Sequence, residues 1–191
     1  MAHLVITPPA VEPLTVEDAR LQTRAASTED AFLALCIAGA RAHCEGIIRR
    51  ALIQRTVEQA FDAFPADAIA LELGPVVGIS SVVYADAAGA EQTMDPADYV
   101  LDRRSYEPWL LPALGTAWPA TEETVNAVRV RYVAGMATAA AGVPADIRTW
   151  LLLTVGFLYT QREAFDMTGK AADIPSRFVD SLLDPFRAYG F

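Results

Sequence analysis

The spacing of apolar residues changes period twice along the chain, from threes and fours to twos and back. Up to Pro13 the chain is Pro-rich and predicted to be extended, because each Pro turns its predecessor away from helix. Leu14-Thr15-Val16-Glu17-Asp18-Ala19-Arg20-Leu21 then predicts a short helix, with Thr15 as N-cap and acids in the first turn. Ser27-Thr28-Glu29-Asp30 opens a second, long helix to about Ala51. Its apolar positions Phe32, Leu33, Cys36, Ile37, Ala40, Cys44, Ile47 and Ile48 recur at helical spacing, and Arg41, Glu45, Arg49 and Arg50 form the polar face.

From Ile53 the period drops to two. Ile69-Ala70-Leu71-Glu72-Leu73 alternates cleanly and predicts a strand that stops at Gly74-Pro75. Val77, Ile79, Val82 and Tyr84 predict another, with a slip at Ser80-Ser81 that reads as a bulge. The turn Asp86-Ala87-Ala88-Gly89 lets Glu91-Gln92-Thr93-Met94 return as a hairpin partner, and Tyr99-Val100-Leu101 predicts a further short strand. Trp109 to Pro119 reads as a Pro/Gly-rich loop. Val128-Arg129-Val130-Arg131-Tyr132 alternates apolar residues with arginines.

The helical period returns after Gly142. A helix from Pro144 and Asp146 to about Ala164 carries Ile147, Trp150, Leu151, Val155, Leu158 and Tyr159. Leu152, Leu153 and Phe157 make it apolar nearly all round, which predicts a place at the centre of its domain or between subunits. Pro175 precedes a last predicted helix around Ser176 to Phe186. The expected fold class is α+β: a mainly α-helical core built from residues 1–51 and 143–191, with a small antiparallel β region inserted at 52–142.

Charge separates the same blocks. Residues 1–51 hold 6 acidic and 5 basic side chains, 52–142 hold 12 and 5, and 143–191 hold 6 and 5, giving net charges of −1, −7 and −1. The whole 191-residue chain is −9 and 53% hydrophobic, which excludes disorder and argues against gripping nucleic acid or an anionic membrane. The longest apolar run, around Trp150 to Tyr159, falls short of the ~20 residues a bilayer span needs. Met1 to Pro9 lacks the basic and apolar regions of a signal peptide. Cys36 and Cys44, eight residues apart on one predicted helix, are about 12 Å apart by helical rise and too distant for a disulfide. Two buried free thiols in a reducing cytoplasm are expected.

The sequence offers little chemistry. His43 and Cys44 are neighbours on a helix and point about 100° apart, so they form no nucleophile–base pair. CxxC, HExxH and EF-hand spacings are absent. Asp95, Asp98 and Asp102 are close enough for a weak cation site, but Asp95-Pro96 reads first as a turn. Glu122-Glu123 reads as a solvated loop, and Gly74-Pro75-Val76-Val77-Gly78 lacks the Lys and glycine spacing of a phosphate loop. Arg129 and Arg131 either pair across strands or face a partner, and Arg49-Arg50 sits at a helix C-terminus where cations are favoured. No catalytic, cofactor-binding or metal-binding residue is expected, and no cofactor.

The order of these pieces resembles a known family. Leu14-Thr15-Val16-Glu17-Asp18-Ala19 leads to Ala40-Arg41-x-x-x-Glu45, Ala51-Leu52-Ile53-Gln54-Arg55-Thr56 and Ile69 to Val76. Ile79 to Asp86 with Gly89, Asn126 to Gly135, Pro144-Ala145-Asp146-Ile147 and Leu158-Tyr159-x-x-Arg162-Glu163 follow. Taken in this order, over nearly the whole chain, they resemble the head–tail connector (adaptor) family of tailed double-stranded DNA phages, in a longer form with a β insertion. The resemblance implies a virion part assembled in the bacterial host cytoplasm, without catalysis. It implies a ring of copies of the chain beneath the portal protein, meeting a tail or tail-completion protein and surrounding duplex DNA that passes through without being gripped. No membrane partner is implied. The competing expectations are a small-molecule-binding domain or minor enzyme with a pocket between helices and sheet, around Trp109, Trp118 and Trp150, and a host-encoded binding module.

Overall fold

A computed structural model describes residues 3–104, 107–161 and 179–188. The chain divides into two compact units. One comprises Met1–Ala10 and Gln54–Met136 with the last two residues, and the other Val11–Ile53 and Ala137–Tyr189. Their elements make the chain α+β.

In the second unit, α1 (Val16–Thr23) starts on a reciprocal cap: the Thr15 hydroxyl accepts from the Asp18 amide, and the Asp18 carboxylate accepts from the Thr15 amide. A 3-10 turn at Ser27–Glu29 runs straight into α2 (Asp30–Ile48). The Arg20 guanidinium grips Asp30 through two bonds of 2.8 and 2.9 Å and so fixes the end of α1 to the start of α2. Helix α2 stops at Ile48, three residues before the predicted end, because Arg49 takes a left-handed conformation (φ 55°). Helix α3 (Ala145–Thr160) packs on α1 and α2. Leu33, Ile37, Ile48, Ile147, Trp150 and Leu151 are fully buried among them, and the helical spacing read from the sequence picks out this same face. Within its own unit α3 is not enclosed all round, since Leu153 is 41% exposed. Of the helix expected around Ser176 to Phe186, residues 179 and 180 are α-helical, and Ser181–Phe186 forms a 3-10 turn instead. Pro185 within it lacks the amide that an α-helix needs there. Residues 176–178 of that expected helix lie outside the described residues.

The first unit is built of antiparallel strands. A five-stranded sheet has the order β1–β2–β8–β4–β5, formed by His3–Thr7, Arg55–Phe61, Val128–Ala134, Val76–Ala85 and Glu91–Thr93. A three-stranded sheet has the order β3–β7–β6, formed by Ile69–Ala70, Trp109–Pro112 and Tyr99–Asp102. Central strand β8 pairs with β2 on one side and β4 on the other. Its alternation puts Val128, Val130, Tyr132 and Ala134 in the core and the two arginines on the opposite face. The predicted bulge appears as a register shift between Ile79 and Ser81.

Two predictions fail for one reason, hydrogen bonds made far away in sequence. The strand expected over Ile69–Leu73 ends early. The Leu71 amide still donates to the Pro108 carbonyl opposite it (3.0 Å), but Pro108 has no amide to return. The Glu72 and Leu73 amides turn to the Gln59 side chain (3.2 Å) and the Tyr132 hydroxyl (3.3 Å). Trp109 to Pro119, expected as loop throughout, begins with β7, which gains partners on both edges. Pro112 ends that strand, where its missing amide costs nothing.

Candidate functional site

Most of the charged side chains singled out by sequence are occupied in structural bonds. Arg131 on β8 pairs with Glu58, directly opposite on β2 (2.8 Å), and Arg129 reaches across β4 to Glu91 on β5. Cross-strand pairing is therefore the role that both arginines take. The Asp95 carboxylate accepts from the Ala97 amide (2.8 Å) and caps a 3-10 turn, Pro96–Asp98. The Asp102 carboxylate accepts in the same way from the Arg104 amide (2.8 Å). Among the described residues no group of three or more His, Cys, Asp or Glu is placed to hold a metal. The His43 ring packs 5.7 Å from the Trp150 ring, and Cys36 and Cys44 are buried free thiols. Burial pushes the Cys44 thiol up to about 12, with the neighbouring Glu45 charge adding to it. At neutral pH that thiol is protonated and non-nucleophilic.

Of the three tryptophans proposed to line a pocket, Trp109 borders an open concavity with Phe61, Asp62, Ile69 and Glu72, and the other two serve structural ends. Trp150 is buried in the helical unit, and its indole donates to Asp180 (3.0 Å). Trp118 stacks on Phe64 with ring centroids 4.8 Å apart and donates to the Asp67 carbonyl (3.1 Å). The concavity beside that stack, floored by Pro65, Pro112 and Pro119, is shallow, open and without converging charged groups.

Sequence reasoning missed three features. Buried Gln59 on β2 accepts the Glu72 amide and donates to the Ala70 carbonyl, which ties the five-stranded sheet to the 70–73 segment. A lone Gln in an alternating strand gives no sign of this. Glu45, read as a surface residue, is buried: it accepts the Leu52 amide (2.9 Å) and Arg41 (3.2 Å), and Arg41 reaches on to Glu12 (2.7 Å). Its i,i+4 spacing from Arg41 was the available clue. The third is that the stretch Ser27–Ile48 is long and apolar enough by composition to cross a membrane, although Arg41 and Glu45 interrupt its apolar run. Leu33, Cys36, Ile37, Ala40, Cys44 and Ile48 bury one face of it in the helical unit, as in the core helix of a globular domain.

What remains exposed is apolar and lies on flanks and edges. In the helical unit Leu21, Leu35 and Leu153 face outward, with Leu35 among Ala31, Ala34, Ala42 and Gly46. In the β unit, edge strand β1 exposes Leu4, Val5 and Ile6. On the other sheet the opposed pair Val100 and Leu111 is exposed, with Leu114 fully exposed beyond it. Such surface suits contact with protein and offers no reaction centre.

No protein-family model matches the sequence, and no curated protein matches it. Solved structures do. A chain in the neck of an empty gene transfer agent (GTA) particle, computed with C6 symmetry, aligns over 100% of this chain and 97% of its own at 26% identity and a TM-score of 0.83. A chain in the virion of a native gene transfer agent particle gives 25% identity and 0.82 over the same shares. One in the neck of a native particle computed with C12 symmetry gives 24% and 0.76, again over 100% and 97%.

Proposed function

We propose that this chain is a structural virion protein of the head–tail neck, a connector that works by assembly and not by catalysis. The observation that carries the reading is the likeness to particle neck structures, which spans the whole chain and therefore both units. The apolar flanks, the shallow concavities and the employment of Arg129, Arg131, Asp95 and Asp102 in structural bonds support it. In this reading copies of the chain form a ring in the assembled particle, joining the portal protein to a tail or tail-completion protein. Val11–Ile53 and Ala137–Tyr189 supply its helical unit and Gln54–Met136 the β insertion; the opening segment, expected with the helices, joins the β unit instead because β1 pairs with β2. The ring is built in the host cytoplasm, and duplex DNA passes through it without being held.

The test is assembly. Full-length chain, alone and mixed with portal rings, is followed by native mass measurement and electron microscopy. Closed rings of many copies, free or seated on the portal, are expected. A chain that stays monomeric in both conditions overturns the reading.

A further inference from the structure

A cyclic ring needs a head-to-tail contact, in which one patch of each copy meets a different patch of the next. The β unit has four strand edges with no strand beyond them among the described residues: β1 and β5 on one sheet, β3 and β6 on the other. An open edge presents a row of unpaired amides and carbonyls, and proteins blunt it by shortness or charge. Two of the four are blunted so. Strand β5 is three residues of Glu, Gln and Thr, and β3 is only two residues. The other two are not. Strand β1 is five residues long with Leu4, Val5 and Ile6 exposed, and β6 is four residues long with Val100 exposed.

Charge sets the direction in which these edges fit. Immediately after β6 come Arg103 and Arg104, both exposed and with no side-chain hydrogen bond or ion pair among the described residues. The acids lie at one end of the five-stranded sheet. Asp62 follows the last residue of β2 and accepts the Asn126 amide (2.9 Å), and the exposed Glu122 and Glu123 belong to the same loop cluster, with the Glu122 amide donating to Ala85 at the end of β4. Strand β1 begins at that same end, since His3 pairs with Gln59 and Thr7 with Thr56. A β6 strand laid antiparallel on β1 carries Arg103 and Arg104 to the acidic end, about 10 Å across two strand spacings from Asp62. A parallel strand would carry them to the other end.

We propose that in the ring the outer edge of β6 from one copy pairs antiparallel with the outer edge of β1 from the next, with Arg103 and Arg104 against Asp62, Glu122 and Glu123. The inference rests on the connector reading for the existence of a ring and adds which surfaces close it. The pairing satisfies both open edges at once and covers Leu4, Val5, Ile6 and Val100. Its two faces differ, so it propagates around a ring instead of stopping at a dimer.

The experiment uses full-length chain carrying Leu4→Cys and Val100→Cys, treated with a short bismaleimide and run on a denaturing gel, while native mass is read on wild-type chain in the same buffer. Cys36 and Cys44 are buried, so wild-type chain gives the background. The double variant is expected to give a ladder of covalent multimers. An equal mixture of the two single variants gives only a dimer, and each single variant alone gives none. Arg103→Glu with Arg104→Glu lowers the yield about tenfold, and reversing the acids with Asp62→Arg and Glu122→Arg restores it, a rescue that damage to folding would not produce. Wild-type rings without the ladder overturn the pairing and leave the connector reading standing. A ladder without closed rings supports the pairing and counts against the ring. Dimers from Leu4→Cys alone overturn the pairing in favour of β1 on β1, and neither rings nor ladder overturns both.

Discussion

Tyr132 and Cys44 are each the acidic group of a buried site, one per unit. Burial disfavours the phenolate and the thiolate and pushes both groups up to about 12, from ordinary values of 10.0 and 9.0. The direction fixes a pH dependence. Below the ordinary values both states of the chain hold these protons, and the stability the buried neutral groups contribute is fully present. As the pH climbs past 9 and 10 the unfolded chain ionises while the folded chain does not, so stability falls toward pH 12. The urea midpoint is expected to drop between pH 8 and pH 11, and to drop less in Tyr132→Phe, which removes one of the two groups. An equal drop in that variant would show that Tyr132 takes no part. Little of this was visible beforehand: the alternation of β8 placed Tyr132 on the core face, but its acceptance of the Leu73 amide depends on a segment 59 residues away.

Between elements, the connections matter more than the helices and strands themselves. Glu45 holds the chain leaving α2 by accepting the Leu52 amide, and Arg41 holds the chain entering α1 through Glu12, so this triad fixes both segments that flank the first two helices. Removing the carboxylate strands a buried amide beside an arginine whose side chain is only 15% exposed. Glu45→Ala should therefore cost about 3–5 kcal/mol in urea unfolding, and Glu45→Gln, which keeps an acceptor for Leu52, roughly half of that. Equal losses in the two variants would assign the effect to packing. The elements themselves were largely legible, because each has its own period, cap or turn: the Thr15 cap, the α2 stripe, the Asp86 to Gly89 turn and the β8 alternation all stand where the sequence puts them. Misread were β7 and the 71–73 segment, whose state is set by partners in space, and Ser181–Phe186, where a 3-10 turn stands in place of an α-helix. Edge strand β1 belongs with these. Its prolines marked it as extended, but only its pairing with β2 shows that three exposed apolar residues lie along an open edge.

At the scale of the whole molecule, a net charge of −9 argues against a nucleic-acid binder, while the proposed connector reading has duplex DNA pass through a ring of this chain. The two are compatible if the surface near DNA repels more than it holds. Affinity for duplex DNA comes chiefly from cations that neutralise phosphates, with log K falling by about 0.9 per contact for each tenfold rise in salt. Of the five arginines in the insertion, Arg129 and Arg131 are held by Glu91 and Glu58, and Arg55 also has partners within the chain. That leaves Arg103 and Arg104, set in a region of −7. Two contacts give a salt slope of only about −2, and the surrounding acids oppose even those. Filter binding with a random duplex at about 150 mM salt is accordingly expected to retain nothing above background, for the isolated chain and for any ring it forms, since closing the ring engages both arginines. Neutralising Asp95, Asp98 and Asp102 to Asn should raise retention slightly or leave it unchanged, because all three carboxylates repel phosphate and two of them, Asp95 and Asp102, cap local turns. Tight retention by the wild-type chain, or its loss on neutralising those acids, would mean that the insertion grips DNA and that the passive channel is the wrong description.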